Sequence, residues 1–232
     1  MKTQGQNGQA TAAVATKAQN GGVEREKQKM TFTKIVFLYM LGGLVGTVWE
    51  TVFKLCRGRG FVYSSGSLLT PFNFVYGTGA LVIVLGLRNL DKWWQIYLAG
   101  ALGGGAVEYT LNFLEELILG TRSWNYANRP LNINGRTTLP YMAFWGLLCV
   151  AVIFWVYRPL NRLMDTLPQK TLHTIAVAAA VIIAVDFLFT ATALLRYTGR
   201  HAGKAARTAF GRWIDGFLGD AVMAKRFPAM KF

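Results

Sequence analysis

Charge is scarce in this chain. Asp, Glu, Lys and Arg make up 16% of its 232 residues, and the acidic ones number 11. A soluble domain carries about 25% charged residues, so an ordinary water-soluble fold is excluded. Cysteine is nearly absent: Cys56 and Cys149 are far apart and belong to no C-x-x-C pair, which excludes a disulfide framework and a cysteine-based zinc site. Cys149 reads as a small apolar packing residue. Two histidines, His173 and His201, form no H-E-x-x-H pattern, so neither a metal nor a cofactor is expected.

Apolar residues are abundant instead, at 53% of the chain with a positive mean hydropathy. The formal net charge of +14 raises the question of nucleic acid. The Lys and Arg residues, however, sit mostly in the tails and between apolar runs, as membrane-flanking cations do. The expected partner is therefore a lipid bilayer and not nucleic acid.

Residues 1–29 are rich in Gln, Gly, Ala, Thr and Asn, contain no apolar stretch, and are expected to form a disordered polar tail. Their layout is not that of a cleaved signal peptide. Five apolar runs follow, at about 31–55, 72–89, 93–119, 139–157 and 171–196. Each can form a membrane-crossing helix, the second being the shortest. The expected fold is thus all-α, a polytopic membrane bundle of about five transmembrane helices over residues 30–196, with a polar loop after the third. Multi-pass insertion in the cell membrane follows. Aromatic residues such as Trp93, Trp94, Trp124, Tyr141 and Trp145 stand at the run ends, where interfacial belts form. Small residues four apart, Gly42 with Gly46 and Gly100 with Gly104, predict close helix packing. Residues 197–232 read as a basic amphipathic tail, in which Phe210, Trp213, Ile214, Phe217 and Leu218 recur at helical spacing.

Three acids, Glu50, Glu108 and Asp186, lie inside apolar runs. An ionisable group at the centre of a membrane helix costs about 2.5–3.5 kcal/mol on insertion scales and usually faces an interior or a watery cavity. With five spans, the first, third and fifth cross in one direction. Their acids lie about 27, 21 and 21 Å from the helix starts at about 1.5 Å per residue, hence toward one membrane face. Asn112 shares the face of Glu108, and Thr190 that of Asp186, by i, i+4 spacing. The polar segment from Trp124 to Arg136 emerges on the same side and adds Asn128, Arg129, Asn132, Asn134 and Arg136. An Arg fork suits a carboxylate or a phosphate. A polar cavity lined by these carboxylates is expected; an acid held by Arg136 simply to fix the helices is the alternative. Glu115 and Glu116, near the end of the third run, read as solvated.

The run W-N-Y-A-N-R-P-L-N-I-N-G-R at 124–136, followed by Phe144-Trp145-Gly146, resembles the signature of a bacterial membrane family of ABC-transporter permeases, the CmpB type. Gly46-x-x-Trp49-Glu50, Val75-Tyr76-Gly77, Val107-Glu108-Tyr109 and Asp186 with Thr190 extend the resemblance over residues 32 to about 195. The chain departs from the family pattern between Ser65 and Gly77, and its two tails lie outside it. The resemblance implies a transport component served by a separate nucleotide-binding ATPase subunit, with a homo-oligomer as a further candidate partner. The chain's own Gly199-Arg200-His201-Ala202-Gly203-Lys204-Ala205 lacks the spacing and the Ser or Thr of a phosphate-binding P-loop. Two other readings stand beside transport: a membrane-embedded acid/base enzyme on a lipid-linked or phosphorylated substrate, and a non-catalytic assembly protein. Against the enzyme, there is no activated nucleophile, metal cluster or cofactor motif.

Overall fold

The computed structural model describes residues 30–58, 60–61, 63–119 and 124–227, without the side chains of residues 115, 118 and 119. The tail expected over 1–29 lies outside them. The first span, α1 (Phe32–Cys56), opens on Thr31, whose hydroxyl accepts from the Lys34 N–H at 3.3 Å. That bond satisfies one of the N–H groups a helix start leaves unpaired. A non-helical loop leads to α2 (Phe74–Leu87), capped by the Asn73 side chain, which accepts from Val75 and Tyr76. Then come α3 (Trp93–Leu119) and a short antiparallel hairpin of β1 (Asn132–Ile133) and β2 (Thr137–Thr138).

Thr138 caps the next helix, its hydroxyl accepting from the Tyr141 N–H at 3.2 Å. This helix runs unbroken from Leu139 to Thr166 as α4 (Leu139–Ala151), a π-helical turn (Val152–Tyr157) and α5 (Arg158–Thr166). The π turn has a local cause. Pro159 has no N–H, so the regular i to i−4 ladder is broken there, and the Arg158 N–H bonds to Ile153 instead. The last span, α6 (Gln169–His201), is followed by α7 (Ala209–Phe217) and α8 (Asp220–Arg226).

Among the described residues, three helices are long and apolar enough to cross a membrane: Phe32–Cys56, Leu139–Thr166 and Gln169–His201. The sequence predicts about five. The second run forms a helix of only 14 residues, about 21 Å long at about 1.5 Å per residue and short of a bilayer core of about 30 Å. The third forms 27 helical residues, but its second half carries Glu108, Asn112, Glu115 and Glu116. The all-helical membrane class holds, with these two helices packed among the three spans.

Packing follows the small residues. Helices α1 and α2 pair, as do α3 and α4, while α6 lies against α1. A methyl group on Gly42 would stand 2.5 Å from the Ala80 Cβ, and one on Gly100 would stand 2.6 Å from the Cys149 Cβ. Both glycines thus permit an approach that any side chain would prevent, as expected of small-xxx-small helix contacts. Outward faces remain apolar: Val181, Val185, Leu188 and Leu195 of α6 are all exposed, a surface suited to lipid.

The last span extends beyond its expected end near residue 196, and the tail folds back on it. Ile214, Leu218 and Met223 are buried against Ala193 and Tyr197. Arg196 and Arg200, in the last turns of α6, bond Asp215 at 2.6 and 2.5 Å, and Arg200 also reaches Asp220 at 2.6 Å. The two arginines hold the Asp215 carboxyl below its usual range, Arg196 most strongly.

Candidate functional site

The polar segment after α3 is ordered by a turn written in its sequence. Asn134 and Gly135 have φ of 51° and 68°, and the Arg136 N–H bonds the Ile133 carbonyl at 3.0 Å. Positive φ at both central residues is the type I′ turn that Asn-Gly favours. Asn132 braces it from within, donating to the Ala127 and Arg129 carbonyls and accepting from the Gly135 N–H at 2.9 Å. Asn134 donates to the Tyr109 hydroxyl at 2.9 Å, tying the turn to α3. Asn128 is exposed.

The turn delivers Arg136 onto one face of α3. Its guanidinium donates to the Asn112 carbonyl oxygen at 2.9 Å and to Glu116 at 2.5 Å, and lies 5.2 Å from the Phe113 ring centroid. Asn112, fully buried, donates in turn to the Trp124 carbonyl at 2.8 Å, and the Trp124 indole donates to the Arg136 carbonyl at 2.9 Å. One turn earlier, Glu108 accepts from the Thr137 hydroxyl at 2.6 Å and the Tyr126 hydroxyl at 3.1 Å. Burial first, and the Glu108 charge second, push the Tyr126 phenol up to about 12. The hairpin thus reaches both Glu108 and Asn112, but Arg136 takes Asn112 and Glu116 as its partners, while Glu108 is held by Tyr126 and Thr137.

Asp186 has different surroundings. It is fully buried, and its carboxylate accepts from the N–H groups of Leu68, Leu69 and Thr70 at 3.3, 3.0 and 2.9 Å, and from the hydroxyls of Thr70 and Thr190 at 2.6 and 2.9 Å. Thr190 also accepts from the Leu68 N–H at 3.0 Å. The loop between α1 and α2 wraps this carboxylate with its own backbone donors. Further bonds hold the loop, from the Thr47 hydroxyl to the Pro71 carbonyl at 2.7 Å and from Arg226 to the Ser67 carbonyl at 2.7 Å. An acid so enclosed has little lone-pair capacity left for a ligand.

Glu50 is half-buried. It pairs with Lys54, one turn later on α1, at 2.8 Å, and Lys54 also donates to Ser64 at 2.8 Å. Together with Trp49, Phe53, Arg57 and Tyr76 they line a cleft of about 340 Å³. Tyr76 reaches this wall because Gly46 offers no side chain where the ring packs.

The three acids therefore occupy three surroundings: Glu108 under the hairpin, Asp186 inside the loop, Glu50 in a cleft. Glu116, read as solvated, keeps a partly exposed side chain and is also the salt-bridge partner of Arg136, because the hairpin returns the chain to α3. None of Thr70, Tyr126, Thr137 and Arg226 is read as a site residue from the sequence. The Asn134-Gly135 pair was the signal for the hairpin that positions two of them.

No curated protein and no solved structure matches the chain. Its residues 37–191 match the family model described as Putative ABC-transporter type IV, the CmpB type. That stretch takes in most of α1, all of α2 to α5 and most of α6, with the hairpin, the enclosed Asp186 and Glu50 all inside it. The chain is a membrane protein and belongs to this CmpB family.

Proposed function

We propose that the chain is a multi-pass, permease-like subunit of the cell membrane that works with a separate ATPase subunit. The observation that carries this reading is the cleft beside Glu50, where a carboxylate and an ammonium face an open space at the end of a membrane-spanning helix. Such groups near a bilayer are costly and mark substrate or ion paths. In this reading the cleft admits substrate. The Arg136 hairpin and the loop around Asp186 are the rigid polar parts against which the helices move, so Asn112, Asn128, Asn132, Asn134 and Thr190 act by shaping them. The division into a polar tail at 1–29, a bundle from 30 and a basic C-terminal tail belongs to the same reading, with α6 carrying the bundle to His201.

The chain brings no P-loop, so nucleotide hydrolysis falls to a partner. Purification of the full chain in a mild detergent should recover a nucleotide-binding subunit. Its reproducible absence from such preparations, under conditions that keep the chain folded, would sink the proposal.

A specific observation favours a second reading, that of a non-catalytic membrane assembly protein. Asp186, one of the three acids, is satisfied by five donors of the chain itself. If Glu50 were equally structural, its replacement by Gln would leave the function of the membrane complex intact, whereas the transport reading requires a loss.

A further inference from the structure

The cleft beside Glu50 has a chemistry of its own. Along α1, Trp49, Phe53 and Arg57 follow one another at i, i+4 and i+8. The two rings stack with centroids 6.3 Å apart and planes at 19°, and the Arg57 guanidinium lies 4.6 Å from the Phe53 centroid. The next row on the helix is Glu50 and Lys54, paired at 2.8 Å. Tyr76 of α2 forms the facing wall.

Glu50 and Lys54 cancel, which leaves the cleft one positive charge, that of Arg57. Arg57 makes no ion pair among the described residues and is exposed at the helix end. An aromatic wall that ends in a free planar guanidinium suits a ligand with an apolar stem and an oxyanion head. Arg offers that head two parallel N–H donors, and the rings cover the stem. A volume of about 340 Å³ stands at the small end of ligand pockets, which run from about 300 to about 1,000 Å³. It holds a headgroup and the first part of one chain, not a whole two-chain lipid.

We infer that the cleft between α1 and α2 is a binding site for an anionic amphiphile, with its phosphate or carboxylate on Arg57 and its chain along Trp49, Phe53 and Tyr76. This adds a ligand class to the transport reading and rests on it for the direction of use. Binding itself needs no ATPase. A failure to bind therefore counts against the ligand class alone, and a missing ATPase against the transport reading alone.

The test is native mass spectrometry of the full chain in a non-ionic detergent, titrated with octyl phosphate. The wild type should retain one equivalent. Arg57→Gln should weaken binding about tenfold or more, through loss of the bidentate charged contact. Arg212→Gln, an exposed cation of the tail, should leave it unchanged. Glu50→Gln should tighten binding several-fold, because Lys54 then adds a second uncompensated charge. Displacement by a bilayer-length phosphatidate identifies a resident lipid as the source of the head, and retention against it identifies a free amphiphile; both support the site. Equal binding of octyl trimethylammonium, competition by inorganic phosphate at the same concentration, or unchanged affinity in Arg57→Gln would each overturn the inference.

Discussion

The Thr70 hydroxyl donates to the Asp186 carboxylate at 2.6 Å across 116 residues of sequence, and it joins the loop after the first span to the middle of the last. Three backbone N–H groups of the same loop converge on the same carboxylate. Asp186→Asn should destabilise the protein by about 3 kcal/mol or more, since an amide replaces one acceptor oxygen with a donor that faces N–H groups. Thermal unfolding in detergent checks this; a transition within experimental error of wild type would remove Asp186 from its structural role.

Arg136 links the hairpin to α3 through two guanidinium nitrogens, one to Asn112 and one to Glu116. Lys cannot make both bonds from a planar fork, so Arg136→Lys should cost about 1–3 kcal/mol of local stability and impair function. Amide exchange over residues 124–138 should quicken in the variant while the ends of α1 and α6 stay protected. Unchanged exchange together with unchanged function would contradict the assignment.

Tyr126 is held as a neutral donor to Glu108, with its phenol raised to about 12 from an ordinary 10.0. A group whose folded value lies above its unfolded one adds stability that is complete below the unfolded value and fades as pH rises through the folded one. The Tyr126 contribution should therefore persist below about pH 10 and fade toward about pH 12. Tyrosinate absorbance compared with Tyr126→Phe reads it directly: the difference should emerge only toward the upper end of that range.

Asp215 has the opposite sign. Its pairing with Arg196 and Arg200 lowers its carboxyl from 3.8, so the stability it adds is present above that value and is lost as pH falls through the lowered one. Docking of α7 and α8 on α6 should thus hold at neutral pH and loosen only in strong acid. In Asp215→Asn the docking should already be weakened at neutral pH. Limited proteolysis of residues 203–227 across pH checks both.

Much of the architecture was legible because apolar runs of membrane length are a bulk property of the sequence. The helices that did not conform failed on quantities that sequence also contains: length for Phe74–Leu87, and the polar residues of its second half for Trp93–Leu119. The site was legible where partners are near in sequence, as with Glu108 and Asn112 on one helix face and the segment just after it. It was illegible where the partner is a backbone group far away. Nothing at Asp186 announces that its ligands are the N–H groups of Leu68 to Thr70, because any residue type offers an N–H. The pairing of Glu116 was illegible for a similar reason: it depends on the I′ turn that brings Arg136 back to α3. The amphipathic tail pattern was readable, but periodicity alone does not say that Ile214 and Leu218 meet α6.

The central claim is that the cleft beside Glu50 belongs to a working transporter, and ATP hydrolysis by the purified complex in nanodiscs tests it most directly. Hydrolysis by the ATPase subunit together with the wild-type chain should exceed that of the subunit alone. The Glu50→Ala chain, folded and bound to the same subunit, should lose most of that excess, about tenfold. Equal rates for the two complexes would contradict the account.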